Sequence, residues 1–167
     1  MKLLTSVLSA AVAAAFVATP VVAQESATLK KVKETGSITL GHRESSIPFS
    51  YYDDKQQVIG FAHEILLKVA DAVKEDQKLA KLDIKLMPVT SANRITLVQN
   101  GTVDIECGST TNNTERQKQV SFSNTFFIIG TRLQTKKDSG INDFPDLAGK
   151  NVVTTAGTTS ERILKKM

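Results

Sequence analysis

The stretch VDIECGSTTNNTER, residues 103–116, constrains this chain more than any other. Its first five residues alternate between apolar and polar, the period of a half-buried strand. Gly108 ends that run, and Ser109, Thr110, Thr111, Asn112 and Asn113 follow as a polar loop. Glu115 and Arg116 then begin a helix, with Asn113 or Thr114 as its N-cap. A strand feeding such a loop gathers hydroxyls, free backbone N–H groups and a guanidinium in one place. Those groups suit a carboxylate. An ordinary strand-to-helix turn uses the same residue types, so both readings stand on this stretch alone.

The device recurs. Residues 151–155 read as a strand, Gly157 ends it, and Thr158, Thr159 and Ser160 lead into another helix start. Between the signals, strands and helices alternate. Residues 27–34 form a short amphipathic helix with Leu29 and Val32 inward and Gly36 as its C-cap. Residues 37–40 are a strand, 41–48 a polar loop and 49–52 a further strand. Val58 and Ile59 lead into a long helix whose inward face carries Ile65, Leu66, Val69 and Val73. Residues 83–89 are the next strand, and Thr90 or Ser91 caps a helix running to Val98. Residues 126–133 read as a buried strand, and 144–149 as a helical turn. Alternation of this kind predicts a mostly parallel α/β sheet, whose ligands bind at the carboxyl ends of the strands. Arg43, Ser91, Ser109 and Thr159 each follow a predicted strand end.

Before any domain is counted, the first residues come off. Met1 and Lys2 precede an apolar, Ala-rich run, Pro20 breaks it, and Val21-Val22-Ala23 supplies small residues for cleavage. Residues 1–23 are expected to be a signal peptide cut after Ala23. Thr5, Ser6, Ser9 and Pro20 interrupt the run too often for a membrane anchor. The product is expected to be exported and soluble. The net charge of +4 is mild and its basic residues are scattered, which argues against a nucleic-acid partner. Cys107 is the single cysteine, so neither a disulfide framework nor a zinc site is encoded. His42 and His63 are too few and too separated for a metal site. Ser45 and Ser46 lack the Gly-x-Ser-x-Gly elbow of a nucleophile. The expectation is no metal, no cofactor and no catalytic residue.

The segments GHRESSIPFSYY (41–52), TSANRI (90–95), NGTVDIECGSTTNN (100–113), ERQ (115–117) and GTTS (157–160) together resemble one family. It is that of the polar amino-acid-binding proteins of ATP-binding-cassette importers, most closely the periplasmic glutamate/aspartate-binding proteins. The resemblance runs from about Leu29 to the end. It implies a two-lobed α/β fold of the periplasmic-binding-protein type that closes on its ligand. Residues 24–131 would be most of lobe 1, and 132–167 a hinge strand and the beginning of lobe 2. The missing remainder of lobe 2 implies a truncated chain, expected to bind ligand weakly or not at all alone. The implied partners are L-glutamate or L-aspartate and the membrane permease subunits of an importer, with the protein itself a periplasmic monomer.

Such a ligand carries two carboxylates and one ammonium, and a buried cleft must neutralise each. As the resemblance implies, Arg116 would pair with the α-carboxylate, helped by Thr111 and Thr159. Ser109 would position the ammonium end, and Arg43 and Arg94 with Ser91 would hold the side-chain carboxylate. A planar guanidinium grips a carboxylate through two parallel bonds, which Lys cannot do. The neutral amides of glutamine or asparagine match those forks poorly. Without the resemblance, Arg94 reads as a solvated helix residue, Arg116 as one half of an ion pair, and Ser91 and Thr159 as caps. Two rivals share the fold: a sensory module, and an exported enzyme such as a dehydratase or lytic transglycosylase. The enzyme needs a general acid or base in the cleft, and Glu44 is the carboxylate the sequence places nearest.

Overall fold

The computed structural model describes residues 26–167. The expected signal peptide, residues 1–23, lies outside them. Among the described residues no helix is long and apolar enough to cross a membrane.

The first helix, α1 (Ala27–Thr35), starts where the Ser26 hydroxyl accepts from the Leu29 amide and ends at Gly36, as expected. It leads into β1 (Ser37–His42), the middle strand of a parallel sheet. β5 (Asp83–Pro88) lies on one side of β1 and β6 (Ile105–Glu106) on the other. Between β1 and β5 the chain makes a small antiparallel sheet of β2 (Ser45–Ser46), β3 (Ser50–Tyr52) and β4 (Val58–Ile59), then α2 (Phe61–Asp76). β2 falls in what the sequence presents as a loop. From β5 the chain returns through α3 (Arg94–Gln99) to the far side of β1. Because the chain leaves β1 in one direction and comes back on the other, a crevice opens beyond the carboxyl ends of β1 and β6.

The core lies under β1. Val32, Ile38, Leu40, Leu66 and Ala70 are buried together, with Val73, Leu82 and Ile105 packed around them. The buried stripe of α2 runs through Ala62, Leu66 and Ala70, with Val73 at its edge, so Leu66 and Val73 face inward as expected while Ile65 and Val69 do not. Ile65 is half-buried and Val69 is exposed. The alanines explain the rotation: small side chains let the helix lie close against β1, so bulk is moved to its flanks. The amides of Phe61, Ala62 and His63 donate to the carbonyls of Pro48 and Phe49, so backbone replaces the side-chain cap that Gly60 cannot supply. β6 is shorter than the expected 103–107. Its neighbour Asp104 accepts from the Thr39 amide at 2.8 Å and from Lys31 Nζ at 2.9 Å, locking the strand to β1 and α1.

Two expected strands do not form. Residues 126–133 are extended without a ladder, and Ile128 and Ile129 are exposed. Residues 151–155 are likewise unpaired and exposed. Among the described residues no strand lies alongside either run, and strand-like residues without a partner cannot satisfy their backbone groups. Phe127 instead packs edgewise on Phe49, with their rings 4.9 Å apart, and Phe126 packs at a tilt on Phe61. The expected helical turn near 144–149 is present as the 3-10 turn Phe144–Leu147. α4 (Thr114–Gln117) and α5 (Thr159–Leu164) complete the elements.

Candidate functional site

The crevice beyond β1 and β6 is lined by the polar loops that end those strands. Arg43 follows β1 directly. Its main chain is clamped by the fully buried Ser50, whose hydroxyl accepts from the Arg43 amide at 2.9 Å and donates to the Arg43 carbonyl at 3.3 Å. Its side chain then crosses Gly108, where any added Cβ would meet Arg43 Cγ at 2.6 Å. Glycine is required there because the guanidinium must pass over the loop to reach the crevice. Arg43 Nη1 donates to Ser109 Oγ at 3.3 Å, and the Ser46 hydroxyl lies 3.4 Å from the same oxygen.

The second arginine opens α3. Thr90, and not Ser91, caps the turn before it: its hydroxyl accepts from the Asn93 amide, while Asn93 Oδ1 accepts from the Thr90 amide. Ser91 is buried and left for the site. Arg94 is only 2% exposed, yet its Nε and Nη1 have no hydrogen-bond partner. Burial pulls its pKa down to about 10, and the neighbouring Arg116 and Arg43 add to the fall while Glu106 opposes it. A buried guanidinium with open donors is the arrangement an arriving anion completes.

The third arginine sits on α4, whose N-cap is Asn113, accepting from the Arg116 amide. Arg116 donates to the Thr111 carbonyl at 2.9 Å and to the Gly157 carbonyl at 3.1 Å. That leaves three of the five guanidinium N–H groups for a ligand. Burial lowers its pKa, and Arg162 lowers it further. Thr111 Oγ1 and Thr159 Oγ1 lie 3.5 Å apart, the latter at the start of α5. Gly157, at φ +75°, brings this late loop against Ala92, where an added Cβ would meet backbone at 2.6 Å. All seven residues singled out in the sequence, Arg43, Ser91, Arg94, Ser109, Thr111, Arg116 and Thr159, therefore converge on one region. A cavity of about 490 Å³ adjoins it, reached by Arg94, Ser109 and Thr111, but its other walls are largely apolar, as at Phe49, Ile95 and Phe126.

Sequence reasoning missed one member. Glu44 is exposed and takes no part; the carboxylate among the arginines is Glu106. Its Oε2 accepts from the Thr110 hydroxyl at 2.6 Å. Burial raises its pKa, against the pull of Thr110 and of Arg94, Arg43 and Arg116. The signal was available: an acid inside a half-buried strand needs a cationic or hydroxyl partner, and three arginine loops end beside that strand. The Cys107 thiol next to it is pushed up to about 12 by burial and by Glu106, which disfavours the thiolate.

The fold is α/β, of the class whose solved members include two-lobed amino-acid-binding proteins. An ancestral amino-acid-binding protein described as a precursor of cyclohexadienyl dehydratase superposes with a TM-score of 0.70 at 29% identity, covering 83% of this chain and 60% of that one. The solute receptor for L-cysteine of Neisseria gonorrhoeae superposes with a TM-score of 0.68 at 24% identity, covering 84% of this chain and 55% of that one, which supports the fold alone. Residues 38–166 match the bacterial extracellular solute-binding proteins, family 3, and the chain belongs to that family. It is 60% identical to the L-glutamate/L-aspartate-binding protein of Pseudomonas aeruginosa, across 100% of this chain and 56% of that protein. It is 55% identical to the glutamate/aspartate import solute-binding protein of Escherichia coli, across 84% of this chain and 46% of that protein. The chain thus spans about half the length of the curated relatives it matches.

Proposed function

We propose that this chain is the ligand-binding part of a receptor for acidic amino acids, L-glutamate or L-aspartate, serving an ATP-binding-cassette importer. The observation that carries the reading is the convergence of Arg43, Arg94 and Arg116 on one hydroxyl-lined crevice, with buried guanidinium donors still open on Arg94 and Arg43. Three cations around one small site exceed what a single carboxylate needs and match a dicarboxylate. In this reading Arg116, Thr111 and Thr159 take the α-carboxylate. Arg43, Arg94 and Ser91 take the side-chain carboxylate, and Ser109 steers the amino end. The identity to glutamate/aspartate-binding relatives supports the same ligand class.

Residues 24–131 act as lobe 1, and 132–167 as a hinge crossing and the start of lobe 2. The contacts of Arg116 with Gly157 and of Thr111 with Thr159 are the first of the bonds that closure on ligand multiplies. The receptor works as a monomer in the periplasm and delivers its ligand to the permease. The test is thermal unfolding of the product of the whole reading frame against a panel of amino acids. L-glutamate and L-aspartate should raise the melting temperature in a concentration-dependent way. Stabilisation by glutamine or arginine to the same degree would refute the acidic assignment.

A same-fold enzyme is the second reading, favoured by one observation: Glu106 is a carboxyl inside the site whose pKa burial raises. Against it, one Glu106 oxygen is committed to Thr110 and the other is buried. Turnover of a cyclic dienyl acid by the purified protein would favour this reading.

A further inference from the structure

We infer that Glu106 is the resident counter-anion of the arginine site, a positioning residue that holds Arg43, Arg94 and Arg116 ready and moderates how tightly they take an acidic ligand. The inference rests on the acidic amino-acid reading and adds what limits affinity at that site.

The geometry confines this carboxylate. Its Cβ and Cγ lie 3.3 Å from where a side chain on Gly41 would begin, and its Oε1 lies 3.2 Å from the equivalent point on Gly108. A side chain at either glycine would crowd it, so the two glycines leave the space it occupies. Arg43 faces it from the end of β1, Arg94 from α3 and Arg116 from α4, while Thr110 is its hydrogen-bond donor. Yet Oε1 has no partner, and neither do Arg43 Nε, Arg94 Nε or Arg94 Nη1. Cationic donors and an anionic acceptor thus share one buried cluster without bonding to one another. Three guanidinium groups, that of Arg94 buried and those of Arg43 and Arg116 half-buried, repel one another, and one negative charge among them offsets part of that repulsion. Because the donors are not tied to Glu106, a ligand carboxylate can take them without displacing it. The same charge repels that carboxylate, which weakens its binding by roughly ten- to a hundredfold at an effective dielectric of about 20.

Stability and affinity should therefore move in opposite directions when the charge is removed. A residue that merely shaped the pocket would lower both. The test is calorimetry on the product of the whole reading frame, wild type and Glu106→Gln, with L-glutamate and with L-homocysteate. The sulfonate of homocysteate stays ionised across the pH range, so any pH dependence belongs to the protein. Glu106→Gln keeps an acceptor for Thr110 and should bind both ligands roughly ten- to a hundredfold tighter at low salt while melting at a lower temperature. Wild-type affinity for homocysteate should rise as pH falls, because protonating Glu106 removes the same charge, and the variant should lose that slope. Thr110→Val deletes the hydrogen bond that favours the ionised carboxylate, so the midpoint of the wild-type slope should move to higher pH; this variant decides the matter if Glu106→Gln does not fold. Weaker binding by Glu106→Gln, a slope it retains, or a midpoint unmoved in Thr110→Val overturns the inference alone. Wild-type protein that binds neither ligand overturns the acidic amino-acid reading and this inference with it.

Discussion

Ile38 and Ile128 are the same residue type, and Ile128 sits in the more apolar run, yet Ile38 is 1% exposed and Ile128 88%. The contrast separates two regions of this molecule. In residues 26–119, each strand has a neighbour: β1 pairs β5 and β6, and β3 pairs β2 and β4. In residues 120–167, apolar runs at 126–133 and 151–155 have none among the described residues. Side-chain type is therefore a permission and not a cause. An apolar, β-branched run becomes a strand only where a second backbone completes its hydrogen bonds.

Core truncation should expose the largest difference. Leu40→Ala removes a fully buried side chain from the central strand and should cost about 2–5 kcal/mol in urea unfolding. Ile128→Ala should change stability by no more than about 0.5 kcal/mol. Equal losses at the two sites would erase the distinction between the regions. Next in size, Ser50→Ala removes the buried hydroxyl that clamps both polar atoms of the Arg43 backbone, at a cost of about 1–3 kcal/mol.

A smaller effect should come from the seam between the regions. Gly157→Ala places a Cβ against the Ala92 backbone at positive φ and should cost roughly 1–2 kcal/mol. Proteolysis should then cut residues 120–157 faster while the first region keeps its far-ultraviolet signal. The smallest effect concerns pH. Burial lowers the pKa of His63, with His42 adding to the fall and Glu64 opposing it. The unfolded chain thus binds a proton more readily, so stability should decline as pH drops through the usual histidine range near 6.5. His63→Gln should flatten that decline, and an unchanged slope would assign it elsewhere.

Local chemistry was legible wherever it was self-contained. The Asn113 cap, the Gly36 helix end, the strand-loop-helix run around Ser109 and the helix start at Thr159 follow from near neighbours in sequence. The arginines were legible as site residues through the family resemblance; composition alone leaves Arg94 a surface residue, whereas it is buried. What escaped depends on distant partners. The face of α2 is set by how closely β1 lies, and the fate of 126–133 by the lack of a neighbouring strand among the described residues. Glu106 escaped because its partners come from three separate loops.

The central claim is that the three arginines divide between two carboxylates of one ligand. A crystal structure of the product of the whole reading frame grown with L-glutamate tests it most directly. The account predicts the side-chain carboxylate on Arg43 and Arg94, occupying the Nε and Nη1 donors now open on Arg94, and the α-carboxylate on Arg116. Glutamate bound elsewhere, or Arg94 donors still unpaired beside a bound ligand, would contradict it.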